Sequence, residues 1–261
     1  MILGVWRERS SCDLIKMKLG ILFSGGKDSM YAAYLAKKEG SGRKNKIFSS
    51  DSPDSKEGSK SGDYEISCLI SIESKNKESY MFHTPSISRV REQARVMGIP
   101  LIVVRSKGEK EKELDDLGRA IKKAVRDYKI EGIVSGAVES VYQSSRIQKI
   151  CNELDVECFN PLWQKGQKDI LDELIRNKFE VIVSGVFAYP IDEKWLGRKI
   201  DREFVREIVK LNEKYEINVA GEGGEFESFV LNCPLFKKRL KVVDFRDFGE
   251  GNSWRREVKV R

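Results

Sequence analysis

The sequence is poor in the residues that mark disulfide-rich, metal-rich or membrane-spanning proteins. It has one histidine, and its five cysteines form no Cys-x-x-Cys pair. An odd number of cysteines without such pairs argues against a disulfide framework, so we expect a reducing compartment, the cytoplasm. No stretch approaches the roughly 20 uninterrupted apolar residues of a membrane span. We therefore expect no membrane association.

The excess of basic residues has two interpretations. The 48 Lys and Arg exceed the 41 Asp and Glu, which leaves a net charge of +7. This balance suits an acidic partner such as ATP or RNA. A charge-rich surface of the kind seen in many thermophile proteins explains it equally well. Residues 1–16 precede the first predicted strand, and we leave them out of the fold as either an N-terminal extension or a misassigned start.

Apolar periodicity predicts an α/β fold. Strands and helices alternate, with strands predicted at 19–23, 64–72, 100–104 and 132–138, and helices at 86–97, 111–128 and 140–154. This alternation is typical of a doubly wound, mostly parallel sheet that binds ligands at the carboxyl ends of its strands. Cys68 and Cys151 fall on apolar positions of this pattern, which favours core residues over ligands. The polar residues 41–63 indicate an insertion, either a disordered loop or a lid.

The pattern changes after residue 157. Helices are predicted at 169–177 and 202–215, a strand at 181–186, and short antiparallel strands at 226–231, 240–245 and 254–260. We therefore divide the chain into a nucleotide-binding domain, 17–157, and a smaller C-terminal α+β domain, 158–261.

The most informative segment is residues 24–29, Ser-Gly-Gly-Lys-Asp-Ser, between the first buried strand and a helix start. Glycines let the backbone approach an anion, and the first N–H groups of the helix point at it. Ser24 and Ser29 can donate hydroxyls, and Lys27 supplies a positive charge. The segment predicts a cradle for nucleotide phosphates.

The spacing of this segment excludes the commoner P-loop. That motif needs a glycine where Ile21 stands and Ser or Thr where Asp28 stands. Asp28 itself repels phosphate, so its presence requires a reason. A Mg²⁺ ligand and a carboxylate favoured by the helix dipole are equally good interpretations.

A second glycine turn, Ser135-Gly136-Ala137, precedes the helix predicted at 140–154. Arg146 lies one turn after Tyr142 and can reach a phosphate bidentately. An exposed helix face capped by Ser140 is the alternative. The candidate ligands of the nucleotide or of its acceptor in this cluster are Gly136, Glu139, Tyr142, Gln143 and Arg146.

Three carboxylates surround a third glycine turn, residues 221–228, Gly-Glu-Gly-Gly-Glu-Phe-Glu-Ser. Glu225 and Glu227 are two residues apart, so on a strand they face the same side. Like charges so close need a cation or a proton between them. A solvated acidic hairpin is the alternative. The only histidine, His83, follows the second strand and is predicted at the same sheet edge as the cradle, with a packed loop residue as the alternative.

Residues 24–29 resemble the PP-loop of the N-type ATP pyrophosphatases. Together with GEGGEFES at 221–228, MFH-x-P at 81–85 and NPLW at 160–163, they resemble the diphthine–ammonia ligase family. The resemblance runs from about residue 17 to 236 and is interrupted by the insertion at 41–63.

The resemblance implies an adenine nucleotide α-hydrolase-like fold and the last step of diphthamide synthesis. In that step ATP adenylates the carboxylate of diphthine on translation elongation factor 2. Ammonia, supplied as ammonium, then displaces AMP from the acyl-adenylate to give the amide, and pyrophosphate is the other product. A PP-loop enzyme that modifies tRNA and a non-catalytic nucleotide-binding module are the alternatives. A homodimer is left open.

The resemblance also implies roles for individual residues. ATP, with Mg²⁺ on Asp28, is held by the cradle together with Gly136 and Arg146. The residues implied in catalysis are Lys27, Asp28, Glu225 and Glu227. Those implied in substrate binding are His83, Glu139, Tyr142, Gln143, Glu222, Gly223, Gly224, Glu225 and Glu227. The phosphates are implied to lie on Ser24, Gly25, Gly26, Lys27, Asp28 and Ser29.

Overall fold

The computed structural model describes residues 16–39, 64–74, 87–107 and 112–261. The insertion at 41–63 and His83 therefore lie outside the described residues. Five parallel strands form the first sheet in the order β3-β2-β1-β4-β5. They are β1 (Met17–Leu22), β2 (Tyr64–Ser74), β3 (Leu101–Ser106), β4 (Gly132–Val134) and β5 (Glu157–Phe159).

Helices cover both faces of this sheet. One core lies under α1 (Lys27–Glu39) and α2 (Ile87–Met97), the other under α3 (Lys112–Tyr128) and α4 (Val141–Glu153). Successive residues of a strand point to opposite faces. Leu69 accordingly belongs to the first core, and Cys68 and Ile70 to the second. The predicted doubly wound α/β fold is confirmed, and the buried Cys68 and Cys151 are core residues as predicted.

The order of the strands determines where a ligand can bind. β1 lies in the middle, with β2 on one side and β4 on the other. The chain first adds β2 and β3 on one side of β1 and then returns to add β4 and β5 on the other side. Such a reversal of strand order opens a crevice at the carboxyl ends of β1 and β4. The loops after β1 and β4 both lead into that crevice.

A second, antiparallel sheet forms from the C-terminal residues in the order β7-β6-β9-β8. Its strands are β6 (Glu180–Val186), β7 (Phe226–Asn232), β8 (Val242–Glu250) and β9 (Ser253–Val260), accompanied by α5 (Gln167–Arg176) and α6 (Arg202–Tyr215). The core under α1 continues into this part through Phe204 and Phe226. None of the described helices is both long and apolar enough to cross a membrane.

Three details differ from the prediction. The strand predicted at 240–245 is β8, which begins at Val242 and runs to Glu250. β4 ends at Val134 rather than at 138, because residues 135–140 form the loop that leads into α4. β5 was not predicted, because it has only three residues and only Phe159 among them is buried. Such a short strand shows no alternation of apolar and polar residues. This strand belongs to the parallel sheet and straddles the boundary at 157/158. The division into two domains stays a prediction.

Candidate active site

The glycine turn after β1 is held open by hydrogen bonds within residues 24–29, called the cradle below. The Ser24 hydroxyl accepts from the Gly26 N–H at 3.3 Å and lies 3.1 Å from the Ser29 hydroxyl. Gly25 has φ of +82°. A Cβ there would also lie 2.4 Å from Gln93 Oε1. Both backbone angle and space therefore require glycine at position 25.

Distant segments fix the cradle in place. Gln93 on α2 is fully buried. Its Nε2 donates to the Gly25 carbonyl at 3.0 Å and to the Val230 carbonyl at 2.9 Å. The Lys27 N–H donates to the Ser228 hydroxyl at 3.0 Å, which satisfies one of the free N–H groups at the start of α1. β7 is thus bound directly to the cradle.

The Lys27 ammonium is buried between two carboxylates. Its Nζ lies 2.9 and 2.7 Å from the two oxygens of Asp28 and 3.4 Å from Glu222 Oε1. Burial acts to lower the pKa of Lys27, but the charges and hydrogen bonds of Asp28 and Glu222 outweigh it and raise the pKa. The lysine therefore keeps a fixed positive charge beside the start of α1.

Glu222 titrates near neutral pH. Burial is the main cause, repulsion from Asp28 adds to it, attraction by Lys27 opposes both, and the resulting pKa is about 7. Glu222 can therefore take up or release a proton in the physiological range. Carboxyls with such shifted pKa values are common at functional sites.

Gly136, in the loop after β4, lies directly against the cradle. A Cβ at this position would lie 2.8 Å from the Ser29 nitrogen and 2.9 Å from the Asp28 carbonyl carbon. Both are backbone atoms at the start of α1, so a side chain could fit only if a main chain moved. The structure thus brings the predicted Gly136 to the cradle, while its role toward ATP stays a prediction.

The other candidates of this cluster lie at the start of α4. Ser140 caps the helix, and its hydroxyl accepts from the Gln143 N–H at 3.3 Å. The Arg146 guanidinium lies over the Tyr142 ring, 3.5 Å from its centre. This cap and stacked pair fit the predicted exposed helix face as well as a ligand site. The assignments to Tyr142, Gln143 and Arg146 therefore stay predictions.

Glu139 connects this cluster to the acidic turn, residues 221–227. Its Oε1 accepts from Gln167 Nε2 at 3.2 Å, and Gln167 Oε1 accepts from the Val219 N–H at 2.9 Å. The charge of Glu139 also contributes to the raised pKa of Glu222. The loop before α4 and the acidic turn therefore form one polar rim beside Lys27.

The three carboxylates of the acidic turn have different partners. Glu222 faces Lys27, whereas Glu225 Oε1 accepts from the Asn218 N–H at 2.8 Å. A Cβ at Gly223 would lie 2.6 Å from that same oxygen. Glu225 Oε2 is buried and has no hydrogen-bond partner among the described residues. Glu225 therefore folds back on its own turn.

Glu227 lies on β7 opposite Gly185, and its Oε1 is 3.6 Å from the Arg255 guanidinium. Its neighbour Ser228 points to the cradle, so Glu227 points to the other face of the strand. Of the three carboxylates, Glu222 is the one bound to Lys27. The catalytic roles given to Glu225 and Glu227 stay predictions.

Two family models match consecutive parts of this chain. Residues 59–158 match the diphthamide synthase N-terminal domain, and residues 166–259 match the diphthamide synthase C-terminal domain. A diphthine–ammonia ligase of Rattus norvegicus is 32% identical over 243 residues, which cover 87% of this chain and 83% of that protein. The chain belongs to the diphthine–ammonia ligase family. The family predicted from the motifs is confirmed.

Another relative of this diphthine–ammonia ligase family member is matched over a smaller part of its own length. A diphthine–ammonia ligase of Schizosaccharomyces pombe is 36% identical over 133 residues, 51% of this chain and 22% of that protein. A crystal structure titled as a predicted subunit of tRNA methyltransferase from Methanocaldococcus jannaschii covers 84% of this chain. The two sequences are 18% identical, the TM-score is 0.39, and the match covers 98% of the chain in that crystal structure. That likeness is too distant to bear on function.

Four residues that hold the site of this family member were not predicted: Gln93, Gln167, Asn218 and Ser228. Two of them left a signal in the sequence. Ser228 is the last residue of the GEGGEFES motif. Gln93 interrupts the apolar face of α2, between Val90 and Ala94 at helical spacing, and a polar residue there needs a buried partner. Gln167 and Asn218 stand in no motif, and their partners are distant in sequence or on a turn.

The donor set of this diphthine–ammonia ligase family member fits a nucleotide. Helix N–H groups, two hydroxyls and a fixed ammonium are the groups that bind phosphates, and a Cβ would fill the space at Gly25 or Gly136. No group of three or more His, Cys, Asp or Glu that could hold a metal ion occurs in the described part. Mg²⁺ needs only one or two carboxylates together with substrate phosphates, and Asp28 and Glu222 fit that requirement.

Proposed function

We propose that this member of the family converts the carboxylate of diphthine on translation elongation factor 2 into an amide, with ATP and ammonium as co-substrates. AMP and pyrophosphate are the other products. The contacts of the buried Lys27 with Asp28 of the cradle and with Glu222 of the acidic turn are the observation that supports the reaction type. The name of the rat relative, diphthine–ammonia ligase, supports the choice of acceptor. A cytoplasmic location is part of the proposal, since translation takes place there.

The chemistry requires an activated carboxylate. Ammonia cannot displace oxide from a carboxylate, whereas AMP leaves readily from an acyl-adenylate. The chain's task is to hold the nucleotide in line and to stabilise the charge that develops on the departing pyrophosphate. Lys27 suits this task because its ammonium is held rigidly by two carboxylates and is already desolvated.

Mg²⁺, when bound, would neutralise phosphate charge, and Asp28 and Glu222 are the carboxylates that would hold it. In this proposal Asp28 also orients the Lys27 ammonium through its two short contacts. Glu222, with a pKa of about 7, can hold or release a proton beside the reacting groups. Gly136 and Arg146 belong to the nucleotide side of the proposal, and Tyr142 and Gln143 to the acceptor side.

We assign Glu225 and Glu227 to the cationic group of the acceptor or to ammonium. The buried, unpartnered Oε2 of Glu225 supports this role, since it is an acceptor for which the described residues supply no donor. The distance from Glu227 to Arg255, 3.6 Å, leaves that carboxylate loosely held. Wild-type turnover of the Glu225→Ala, Glu227→Ala double variant would retire this assignment.

The reaction itself is tested by following AMP release from ATP. We expect release only when diphthine-bearing elongation factor 2 and ammonium are both present, with amide formed in equal amount by mass spectrometry. AMP release that depends on total tRNA would instead favour an RNA-modifying enzyme. Tight ATP binding without pyrophosphate formation on either acceptor would favour a nucleotide-binding module.

A further inference from the structure

β8 is an exposed edge of the antiparallel sheet. Within the described residues it pairs with β9 alone, and it stands last in the order β7-β6-β9-β8. Residues 242–247 are all exposed, and the side chains of Val243 and Phe245 are each 55% exposed. One row of backbone N–H and C=O groups on such a strand is a template for another strand.

The side chains of β8 carry a self-complementary pattern. Asp244 lies opposite Lys259 of β9, and Arg246 lies opposite Glu257. Asp244 and Arg246 are two residues apart and share one face of the sheet, while Phe245 between them takes the other. Charges of opposite sign therefore flank an exposed aromatic residue at equal distances along the strand.

We propose that β8 pairs with β8 of a second copy of this chain, antiparallel and with Phe245 on the twofold axis. In this register Asp244 lies opposite the partner's Arg246, and the symmetry forms that ion pair twice. The two Phe245 side chains lie opposite each other. The row Lys259, Asp244, the partner's Arg246 and the partner's Glu257 then alternates in sign across four strands.

The same pattern excludes the neighbouring registers. A slip of two residues in one direction puts Arg246 opposite the partner's Arg246. A slip in the other direction puts Asp244 opposite the partner's Asp244. Like charges directly opposite destabilise a strand pair, so the charges select one register. This complementarity of the strand with itself is what identifies a second copy as the occupant.

Sedimentation of charge-reversed variants tests the interface. We expect the wild-type protein to dimerise, and Asp244→Arg and Arg246→Asp each to weaken dimerisation about tenfold or more, because each puts two like-charged pairs in contact. An equimolar mixture of the two variants should dimerise again. In that mixture the two positive side chains of one chain face the two negative side chains of the other.

Glu213→Arg, an exposed reversal on α6, is the matched control and should leave the dimer intact. Equal melting of all variants by circular dichroism would show that they are folded. A monomeric wild type, a dimer that survives both reversals, or a mixture that stays monomeric would each overturn the proposal. None of these readouts depends on the proposed reaction, so the two can fail separately.

Discussion

The cradle and the acidic turn are alike in sequence, since each is a glycine turn with charged residues beside a buried strand. Their structures differ. The cradle is fixed by distant segments, through Gln93 and Ser228. The carboxylates of the acidic turn instead point in three directions. Glu222 faces Lys27, Glu225 folds back on the turn, and Glu227 lies on the face of β7 opposite the cradle. A dense motif is therefore not necessarily a cluster in space, and of the three carboxylates of the acidic turn Glu222 is the one that faces the cradle.

The largest effect is expected at the point where the two turns meet. Lys27→Met keeps the volume of the side chain but removes the charge that Asp28 and Glu222 share. We expect AMP formation to fall by about 10² to 10³-fold, as for loss of one preorganised stabilising group. The measurement is AMP release under saturating ATP.

The control for this prediction is Lys37→Ala, an exposed lysine at the end of α1. It should change AMP release little. If Lys27→Met kept wild-type turnover, the cradle would not be the catalytic centre, and the contrast between the two turns would lose its functional meaning.

The second prediction concerns the contact between Gly136, in the loop after β4, and the cradle. Gly136→Ala adds a Cβ against backbone atoms of Ser29 and Asp28, so the start of α1 must shift. We expect a loss of roughly 1–3 kcal/mol in the free energy of unfolding, as for overpacking, and weaker nucleotide binding. Urea unfolding and titration with a fluorescent nucleotide measure the two effects.

Gly118→Ala in α3 is the matched substitution. Its Cβ would find only Ile150 Cγ2 at 3.9 Å, and alanine favours the helix, so stability should rise by about 0.5–1 kcal/mol. Equal effects of the two alanines on nucleotide binding would mean that the contact of Gly136 with the cradle is irrelevant to the ligand.

The third prediction tests whether the cradle is held from outside. Gln93→Leu leaves two buried carbonyls, those of Gly25 and Val230, without their shared donor. A free-energy loss of about 1–2 kcal/mol is expected, together with weaker nucleotide binding. Gln148→Leu, at an exposed position on α4, is the control and should be close to neutral. Unchanged nucleotide affinity in Gln93→Leu would show that the cradle keeps its shape unaided.

The smallest effect is a pH dependence that belongs to Glu222. Its pKa of about 7 in the folded protein lies above the ordinary 4.5, so between these values the folded state keeps a proton that the unfolded chain has released. Stability therefore falls as the pH rises through that window. Glu222→Gln should reduce the loss between pH 5 and 8 by roughly 1–2 kcal/mol in urea unfolding.

Glu213→Gln, exposed on α6, is the control for the pH experiment and should keep the wild-type slope. An identical slope in Glu222→Gln would mean that this carboxyl is ionised throughout the range. Its place beside Lys27 would then be an ordinary ion pair.

The local parts of the site could be predicted from the sequence. The buried strand, the glycines, Lys27 and the start of α1 follow one another along the chain, so spacing alone indicates the cradle. The alternation of apolar runs likewise indicates the doubly wound sheet. The antiparallel strands after residue 180 were recognisable from their short length and β-rich composition.

Contacts between distant segments could not be predicted. Gln93 binds carbonyls 68 and 137 residues away, and Lys27 binds Ser228 across 201 residues. The directions of Glu225 and Glu227 depend on where β7 begins. Glu225 precedes the strand and Glu227 lies within it, so the period of two that placed them on one face does not apply to both.

The shared amide of Gln93 links the C-terminal half of the chain to the cradle, the proposed site of the nucleotide phosphates. A displaced β7 would withdraw the Val230 carbonyl from Gln93, the Val230 N–H from the Gly25 carbonyl and the Ser228 hydroxyl from the Lys27 N–H. The affinity for a nucleotide analogue, measured by spectroscopy, therefore reports whether β7 in the C-terminal half is docked on the cradle. The same affinity measurement can be made on a truncated or proteolysed chain before any acceptor protein is added.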